Sequence, residues 1–461
     1  MENKIKYIHF VGIGGSGMSG IAEIMHNMKF EITGSDTSST SVTEHLKSRG
    51  IKLFTSHDVS NISQADVIVT SSAISKNNCE LVAAKKLKIP IIPRAEMLAE
   101  LMRFKVGIAI AGTHGKTSTT SILASIMNTA GMDPTYVIGG RINSLKQSAR
   151  LGKSKYMIVE ADESDASFLH LNPDNILLTN IDYDHMETYG YDEQRLKKTF
   201  LDFLHQVPFY NEVFVCIDDA NVKSILKHIA RPIITYGLNK KADFFADQIQ
   251  IKRNLSSFRV NSSKNKFRPF KVEIAMPGKH YVLNTLGAIA VADHFKINHQ
   301  VIKQALFDFK GVARRFDLYE NFKFGEKNVH LIDDYGHHPT EIEAVIKSIK
   351  KGFPRKKINL VFQPHRYSRT QDLFDDFIKV LSKADRLFLF DIYSAGEKVI
   401  SKISSKNLLK KITCDSYYLP EMNNSRDFIE KKINSNEMLL VMGAGSIGKW
   451  FSQNFIEKDR E

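Results

Sequence analysis

The stretch "KVGIAIAGTHGKTSTTSILASIMNTAG", residues 105–131, decides the fold, because an apolar run, a glycine-containing loop and a helical pattern follow one another directly. The apolar run is typical of a strand that is buried on both faces. The helical pattern ends at Gly131, a residue type that often terminates helices. Short apolar runs alternate with helical patterns on both sides of this stretch. That alternation predicts an α/β protein built on largely parallel sheets.

The loop "AGTHGKTS", residues 111–118, has the residues of a phosphate-binding loop. In such loops the backbone amides surround phosphate oxygens, a lysine such as Lys116 meets the β- and γ-phosphates, and a hydroxyl such as that of Thr117 binds Mg²⁺. The common pattern begins with glycine at position 110, where this chain has Ile110, so the loop is a shortened variant. It still predicts an enzyme that uses ATP.

A second glycine turn lies at the start of the chain, in "HFVGIGGSGMSG", residues 9–20. Gly12, Gly14 and Gly17 have the G-x-G-x-x-G spacing, and Asp36 follows nineteen residues after Gly17. A turn of this kind, after a strand and before a helix, is typical of sites that bind the diphosphate of a dinucleotide. Alone it favours a nicotinamide-dependent oxidoreductase. Such an enzyme has no use for Lys116, so the phosphate loop favours phosphoryl transfer instead.

The order of elements along the 461 residues predicts three α/β domains in series. Their expected bounds are 1–103, 104–311 and 312–461. Residues 243–278 are rich in β-branched and aromatic residues and predict antiparallel strands added to the central sheet, which would make that sheet mixed. A third glycine pattern, at residues 443–448, is followed by only thirteen residues. It predicts a closing turn or a loop that faces a cleft, and not a second cofactor site.

Composition narrows the class of protein. The formal net charge is +13, which favours anionic ligands, and the chain has no zinc-finger spacing, RNA-recognition signature or heptad pattern that would indicate nucleic acid as a partner. No apolar run reaches the length of a membrane span and the N-terminus lacks an apolar signal segment, so we expect a cytoplasmic protein without membrane insertion. Cys79, Cys216 and Cys414 lie far apart, which predicts small buried residues and no disulfide framework or zinc site.

Acidic residues follow two predicted strands of the central region. Glu160 ends the strand in "YMIVE", and Asp182, Asp184 and His185 follow the next strand. Because the carboxyl ends of parallel strands meet at one edge of a sheet, these groups are expected near Thr117, where they could hold Mg²⁺. Histidine is less usual for Mg²⁺, so a polar loop residue is the alternative for His185. Three further acidic residues follow Glu160 in the same segment: Asp162, Glu163 and Asp165.

Seven motifs together resemble the Mur ligases. They are "GIGGSGMSGIAEI", "GTHGKTSTT", "VEADESDASFLHL", "NIDYDHMETYG", "GVARRFD", "DDYGHHPTEI" and "QPHRYSRT", and they occur in that family's order and spacing over residues 9–448. The resemblance implies three domains: a Rossmann-like UDP-binding domain, a central P-loop ATPase domain with a mixed sheet, and a C-terminal Rossmann-like domain that admits an amino acid.

The resemblance also implies an activity. It indicates a ligase that uses ATP and Mg²⁺ to join L-alanine to UDP-N-acetylmuramate through an acyl phosphate, releasing ADP and phosphate, and that is a monomer or homodimer. One alternative is a recycling ligase that adds a preformed murein peptide to the same sugar nucleotide; the first glycine turn favours the alanine enzyme. A nicotinamide-dependent oxidoreductase and a purely nucleotide-binding role are the alternatives from other classes.

Residue roles follow from the same resemblance. The expected catalytic residues are Lys116, Glu160, His185, Arg315 and His337. The expected metal ligands are Thr117, Glu160 and His185. The expected ATP-binding residues are Gly112, Thr113, His114, Gly115, Lys116, Thr117, Ser118, His280, Asn284, Arg315 and Asp334. The expected UDP-sugar-binding residues are Gly12, Gly14, Gly15, Ser16, Gly17, Asp36, Ser71, His185, Arg366 and Arg369. The expected amino-acid-binding residues are Tyr335, His337 and His365.

Three of these assignments have explicit alternatives. Tyr281 stands where the family usually has asparagine, and this departure bears on the adenine contacts expected of His280 and Asn284. His337 and His338 could instead be polar residues at the start of the helix that begins with Pro339. Since the phosphate loop supplies a complete ATP site, the first glycine turn is expected to bind the diphosphate of the sugar nucleotide, with Asp36 near the uridine end or in a structural role.

Overall fold

The computed structural model describes residues 5–15, 17–71, 73–103, 105–142, 147–265 and 267–456. The chain divides into two compact units. The first unit comprises Met1–Ala246, Asn261–Pro269 and Leu283–Asp308, and the second comprises Asp247–Val260, Phe270–Val282 and Phe309–Glu461. Three β-sheets follow one another along the chain, as the alternation of strands and helices predicts.

The first sheet has five strands in the order β3-β2-β1-β4-β5, and every pair is parallel. This is the order of a dinucleotide-binding half, in which a ligand site lies outside the carboxyl end of β1. Its strands are β1 (Tyr7–Val11), β2 (Glu31–Ser35), β3 (Lys52–Phe54), β4 (Val67–Thr70) and β5 (Ile91–Pro93). Its helices are α1 (Met18–Asn27), α2 (Ser41–Ser48), α3 (Cys79–Lys86) and α4 (Arg94–Met102).

The second sheet has ten strands in the order β15-β14-β13-β12-β11-β10-β6-β9-β7-β8. Its strands are β6 (Val106–Ala111), β7 (Thr135–Ile142), β8 (Gln147–Arg150), β9 (Tyr156–Glu160), β10 (Asn175–Leu178), β11 (Val213–Cys216), β12 (Ile233–Gly237), β13 (Phe244–Lys252), β14 (Leu255–Ser262) and β15 (Phe270–Ile274). Its helices are α5 (Lys116–Thr129), α6 (Glu193–Leu204), α7 (Ala220–Ile225), α8 (Lys279–His294) and α9 (His299–Phe307).

The second sheet is mixed, as predicted, but the antiparallel part differs in detail. β14 and β15 are antiparallel, whereas β13 pairs with β12 in parallel. The antiparallel pair β7 and β8 at the opposite edge was not predicted. Sequence pattern misses this pair because β8 is short and β7 contains consecutive glycines.

The third sheet has six strands in the order β16-β17-β21-β18-β19-β20, and only β16 is antiparallel to its neighbour. Its strands are β16 (Asp317–Phe324), β17 (Lys327–Asp334), β18 (Ile358–Phe362), β19 (Arg386–Phe390), β20 (Asp415–Leu419) and β21 (Met438–Met442). Its helices are α10 (Pro339–Gly352), α11 (Tyr367–Asp372), α12 (Phe374–Leu381), α13 (Ser405–Leu409), α14 (Ser425–Lys432) and α15 (Ile447–Phe451).

One apolar core continues from the first sheet into the second within the first unit. Ile8 of β1 belongs to the same buried cluster as Val159 of β9 and Phe200 of α6. Gly20 allows α1 to lie directly on β8, because a Cβ at that position would be 2.7 Å from the Cβ of Ala149. The shared core therefore holds the two glycine loops of this unit in one packed body.

The third glycine pattern forms a packed turn after β21. Gly443 has φ 145°, and a Cβ there would lie 2.9 Å from the carbonyl oxygen of Gln363. The Gln363 side chain accepts a hydrogen bond from the Ile447 amide (2.9 Å). The turn after β21 thus packs against Gln363, the residue that follows β18, in agreement with the predicted closing turn.

The cysteines only partly match their prediction. Cys216 is buried and Cys414 is half-buried, but Cys79, at the first position of α3, is exposed. In the part of the chain that the structure describes, no helix has the length and apolar character that crossing a bilayer requires.

Candidate active site

The phosphate loop connects β6 to α5 and is shaped by two glycines. Gly112 has φ 129°, and a Cβ there would lie 2.1 Å from the hydroxyl oxygen of Thr179. Gly115 is the residue before α5, with φ 82° and no side chain capping the helix. The first amides of α5 therefore point into the loop without a side-chain acceptor, which is the arrangement that binds phosphate at a helix N-terminus.

Residues after β10 hold the phosphate loop from the other side. Asn180 accepts the His114 amide (2.8 Å) and donates to the His114 carbonyl (2.9 Å). The Thr179 hydroxyl also donates to that carbonyl (2.7 Å). The Thr113 hydroxyl accepts the Asp182 amide (2.8 Å). Sequence analysis did not single out Thr179 or Asn180, because their role depends on the pairing of β10 with β6.

The Lys116 ammonium lies inside this loop. It donates to the carbonyl oxygens of Gly112 (2.6 Å) and Thr113 (3.1 Å) and to Glu163 Oε2 (2.7 Å). Burial raises the pKa of the Glu163 carboxyl to about 7, although Lys116 acts in the opposite direction. Burial lowers the pKa of Lys116, but Glu163 and Asp162 outweigh it, so that this pKa is raised and the side chain stays cationic.

The predicted metal ligands Thr117 and Glu160 are brought together. The Thr117 hydroxyl donates to Glu160 Oε2 at 3.3 Å, at the carboxyl end of β9. Gly139 leaves room for this carboxylate, since a Cβ at position 139 would lie 2.8 Å from Glu160 Oε2. A hydroxyl and a carboxylate that converge beside a phosphate loop are oxygen donors of the kind Mg²⁺ prefers, so the residues fit this ion.

His185 lies in the loop after β10, in a left-handed conformation with φ 54°. Its amide donates to Asp184 Oδ1 (2.9 Å), and its ring nitrogen Nε2 is 3.6 Å from Asp184 Oδ2. Nearby, His114 Nε2 pairs with Asp182 Oδ2 at 2.9 Å. Two carboxylates of this loop thus pair with histidines, one of which belongs to the phosphate loop, and metal binding by His185 stays a prediction.

Helix α8 carries the residues predicted to contact adenine. Within the first unit, Asn284 lies against the phosphate loop, because a Cβ at Gly115 would be 2.7 Å from Asn284 Oδ1. In the second unit, burial lowers the pKa of His280 to about 4, so the ring is neutral at neutral pH. Tyr281 is buried (3% exposed). The tyrosine that departs from the family pattern is therefore a core residue.

The first glycine turn joins β1 to α1. Gly12 and Gly17 have positive φ angles of 76° and 77°, and Gly17 precedes α1 without a capping side chain. Asp36 accepts the Gly14 amide (2.9 Å) and the Ser38 amide (2.9 Å). Asp36 thus holds the turn, and its predicted place near the uridine end stays a prediction.

Ser71 and Ser16 are two further residues that are predicted to bind the sugar nucleotide, and the structure describes only the first of them. Ser71 is half-buried directly after β4, and its carbonyl accepts the Ile74 amide (3.1 Å). Ser16 lies outside the described residues. Arg94, which sequence analysis missed, lies close to the turn and pairs with Asp162 (2.9 Å).

In the second unit, Arg315 and Glu341 form a half-buried ion pair. Arg315 Nη1 is 3.6 Å from Glu341 Oε1, and its guanidinium carbon is 5.1 Å from the centre of the Tyr335 ring. Asp334 is buried, and its carboxylate accepts the amides of Phe316 (2.8 Å) and Gly336 (2.7 Å). This backbone role accounts for its burial, and its predicted contact with a ribose stays a prediction.

The residues predicted to bind the amino acid are brought together in the second unit. The His337 ring is 5.5 Å from the rings of both Tyr335 and His365. The His337 amide donates to Glu341 (2.9 Å). His338 is the residue that caps α10. The helix-start role therefore belongs to His338, while the His337 ring faces the aromatic cluster.

Two arginines lie beside this cluster at α11. Arg369 is buried, and its Nη1 is 3.2 Å from His365 Nδ1. Arg366 has φ 73° and ψ 140°, a conformation that strains a residue with a side chain. Sequence analysis missed Glu397, which accepts both the Ser368 amide (3.0 Å) and the Ser368 hydroxyl (2.6 Å).

Three family profiles match consecutive parts of the chain. "Mur ligase family, catalytic domain" matches residues 7–106, "Mur ligase middle domain" matches residues 110–292, and "Mur ligase, glutamate ligase domain" matches residues 314–445. Together the three matches cover most of the sequence.

Individual proteins of known name are also similar to this chain. UDP-N-acetylmuramate--L-alanine ligase of Hydrogenovibrio crunogenus is 48% identical over 453 residues, which cover 97% of this chain and 98% of that protein. The crystal structure of UDP-N-acetylmuramate-alanine ligase MurC from Thermotoga maritima is 28% identical with a TM-score of 0.81, and 99% of each chain is covered. A murein peptide ligase from Psychrobacter arcticus is 21% identical with a TM-score of 0.73, covering 97% of this chain and 98% of that one, and shows the fold alone.

Proposed function

The chain belongs to the Mur ligase family, and we propose that it joins L-alanine to UDP-N-acetylmuramate with ATP as the co-substrate. The observation that carries the proposal is the phosphate loop, in which Lys116 and the Thr117–Glu160 pair lie in the same packed unit as a second glycine turn. Two glycine sites for phosphate in one unit suit an enzyme with two diphosphate-containing substrates.

The proposed reaction has two steps. The lactyl carboxylate of UDP-N-acetylmuramate attacks the γ-phosphorus of ATP, so that a carboxylate–phosphorus bond forms and the bond to ADP breaks. The neutral amine of L-alanine then attacks the carbonyl carbon of this acyl phosphate, phosphate leaves, and the amine loses a proton. Activation is needed because a free carboxylate is a poor acyl donor.

Residues of the first unit have proposed roles in the phosphoryl transfer. Lys116 would neutralise charge on the transferring phosphoryl group, while the Gly115 turn presents the first amides of α5. Thr117 and Glu160 would hold Mg²⁺, which supplies charge stabilisation on the phosphate oxygens when bound. Glu163 holds Lys116 in place before the nucleotide arrives.

Residues of the second unit have proposed roles toward the acyl group and the amino acid. Arg315 would meet the γ-phosphate, as the resemblance to the family implies, and Glu341 holds its guanidinium group at 3.6 Å. The cluster of Tyr335, His337 and His365 would bind L-alanine. Arg366 and Arg369 would meet the carboxylates of the substrates, because guanidinium groups recognise carboxylates through paired hydrogen bonds.

The recycling ligase is the less favoured alternative. The relative at 48% identity is named an alanine ligase, whereas two solved murein peptide ligases are 21% and 27% identical to this chain. The oxidoreductase alternative has no support from the family profiles, each of which describes a Mur ligase domain.

The test is incubation of the protein with ATP, Mg²⁺, UDP-N-acetylmuramate and either L-alanine or a murein tripeptide. We expect phosphate release and a product mass of UDP-N-acetylmuramoyl-alanine only with L-alanine. Product only with tripeptide would establish the recycling ligase instead. Phosphate release that does not depend on the sugar nucleotide would contradict both ligases, and a nicotinamide absorbance change would indicate the oxidoreductase.

Lys116→Ala tests the role of the phosphate loop. We expect kcat to fall on the order of 100- to 1000-fold, while calorimetry still detects binding of UDP-N-acetylmuramate. Lys155→Ala, a change at an exposed lysine before β9, is the matched control and should retain activity. Near-normal turnover of Lys116→Ala would show that this loop does not bind the transferring phosphate.

A further inference from the structure

Arg94 lies at the N-terminus of α1 although it belongs to α4. It is the first residue of α4, and its side chain extends to the first glycine turn. A Cβ at Gly17 would lie only 2.5 Å from Arg94 Nη1. Gly17 directly precedes α1, so the guanidinium lies where the positive end of the helix dipole would meet an anion.

Most of the described backbone amides of the turn already donate to acceptors of the protein. The amides of Gly12 and Ile13 donate to the Ser35 carbonyl (2.8 and 3.1 Å). The Gly14 amide donates to Asp36, and the Gly15 amide donates to the Gly12 carbonyl (3.1 Å). The described part of the turn therefore offers few backbone donors to a diphosphate, and Arg94 is the cation that the structure places against Gly17 there.

The other edge of the Arg94 guanidinium is fixed by the central domain. Arg94 Nη2 donates to Asp162 Oδ2 at 2.9 Å. Asp162 follows β9 in the segment that also contains Glu163, the partner of Lys116. The segments that carry Arg94 and Asp162 both pack on the continuous apolar core of the first unit. The core therefore holds the two side chains at a fixed separation.

Arginine suits this position better than lysine. Its planar group has five N–H donors in a fixed arrangement, so one edge can remain on Asp162 while another edge donates to phosphate oxygens. A lysine ammonium is a single point charge at the end of a flexible chain. It would have to choose between the two partners or lie between them with poorer geometry.

We propose that Arg94 binds the diphosphate of the uridine nucleotide at the first glycine turn, and that Asp162 is the positioning residue that holds Arg94 there. The identity of the nucleotide rests on the proposed function, whereas the phosphate contact rests on the geometry around Gly17.

The experiment measures the affinity of UDP and uridine for the full chain without ATP, by calorimetry for UDP and by ligand-observed NMR for uridine. We expect Arg94→Met to weaken UDP binding about 10- to 100-fold, the range for loss of a hydrogen bond to a charged group, and to leave uridine binding unchanged. Arg94→Lys should recover part of the UDP affinity. Arg103→Met, which removes the arginine paired with Glu100 at the far end of α4, is the matched control and should bind UDP normally.

Asp162→Asn tests the positioning role. Alone it should weaken UDP binding about threefold to tenfold, and it should have no further effect when Arg94 is already methionine, because the two residues act through one contact. Equal losses in both backgrounds would show that Asp162 does not act through Arg94.

Three results separate the possible failures. UDP binding by Arg94→Met at wild-type affinity would overturn the phosphate contact and leave the proposed function intact. Loss of uridine and UDP affinity by the same factor would also overturn it, because it would indicate damage to the turn. A wild-type chain that binds no uridine nucleotide would contradict the proposed function itself.

Discussion

Glu80 is a buried carboxylate held by several side chains of the first sheet. Its Oε2 accepts the Ser35 hydroxyl (2.6 Å) and lies 2.9 Å from His57 Nδ1. Its Oε1 accepts the Asn61 amide (2.7 Å) and lies 3.5 Å from His9 Nε2. Burial raises the pKa of Glu80, but hydrogen bonds from these four groups outweigh it and lower the pKa to about 2. Since the Ser35 carbonyl holds the glycine turn, this network also supports that turn.

Replacing Glu80 should make the first unit less stable in a pH-dependent way. The lowered pKa means that the carboxylate stabilises the fold above pH 4.5 and that this contribution disappears as the pH falls toward 2. Glu80→Gln should therefore lower the free energy of unfolding at pH 7 by on the order of 3 kcal/mol, with a much smaller difference near pH 2. Urea unfolding at both pH values measures this.

The control for that prediction is Glu44→Gln, which changes an exposed glutamate of α2 paired with Lys47. It should not move the unfolding midpoint measurably. An equal loss of stability by Glu80→Gln at pH 7 and near pH 2 would show that the contribution comes from packing and not from ionisation.

Gly139 controls the space around Glu160. A methyl group at position 139 would be 2.8 Å from Glu160 Oε2 and would displace the carboxylate from Thr117. We expect Gly139→Ala to raise the Mg²⁺ concentration needed for half-maximal activity about tenfold, since shifts of groups next to metal ligands weaken metal binding. A Mg²⁺ titration of the ligase reaction is the measurement.

Gly131→Ala is the matched control for Gly139→Ala. Gly131 has φ 72° and no other atoms within 4 Å of a Cβ, so this change strains only the backbone at the end of α5. It should lower Tm without changing the Mg²⁺ requirement. The same Mg²⁺ requirement in Gly139→Ala and in the unchanged chain would contradict the assignment of Glu160 as a ligand.

At the scale of elements, the turn between β1 and α1 depends on one carboxylate from the end of β2. Asp36→Ala would remove the acceptor of the Gly14 and Ser38 amides and let the turn relax. We expect the KM for UDP-N-acetylmuramate to rise about tenfold and the KM for ATP to stay within about twofold, because the phosphate loop has its own supports. Steady-state kinetics with each substrate varied measures both values.

Asp58→Ala is the matched control, because Asp58 also accepts a backbone amide, that of Ser60 (2.8 Å), in the first domain. It should leave both KM values unchanged. Asp36→Asn keeps an acceptor for the Gly14 amide and should retain most of the affinity. An equal rise of both KM values in Asp36→Ala would indicate general unfolding.

Elements at sheet edges were harder to predict than the central strands. β16 and β20 are edge strands whose residues are mostly half-buried or exposed, so they lack the continuous apolar run of β18 or β21. Buried central strands such as β6 and β21 are continuous apolar runs that end at a glycine loop, and this pattern is visible in the sequence.

At the scale of the whole molecule, the formal charge of +13 acts on polyanionic substrates and not on zwitterionic L-alanine. We expect an increase from about 50 to about 400 mM KCl to raise the KM for UDP-N-acetylmuramate and for ATP roughly threefold to tenfold, because salt screens the attraction. The KM for L-alanine should change by less than about twofold. An equal rise for L-alanine would show that salt perturbs the fold instead of the attraction.

The sequence by itself determined the α/β class, the phosphate loop and the family, because these depend on residues that are close along the chain. A strand, a glycine turn and a helix N-terminus form one local unit, so a phosphate loop at Gly112, Gly115, Lys116 and Thr117 could be predicted from their spacing. Glu160 could be placed near them because strand ends meet at one edge of a parallel sheet.

Only the tertiary structure decided which distant side chains complete these sites. The contact of Arg94 with Gly17 and Asp162 depends on how α4 packs against the first sheet and against the helical turn at Ser167–His170, and residues of α4 belong to the shared apolar core. The same holds for Glu163. Its sequence motif predicts a position near the phosphate loop, but only the packed structure shows that it accepts a hydrogen bond from Lys116. Side-chain contacts between distant segments follow from the close packing of the interior, which spacing along the chain does not encode.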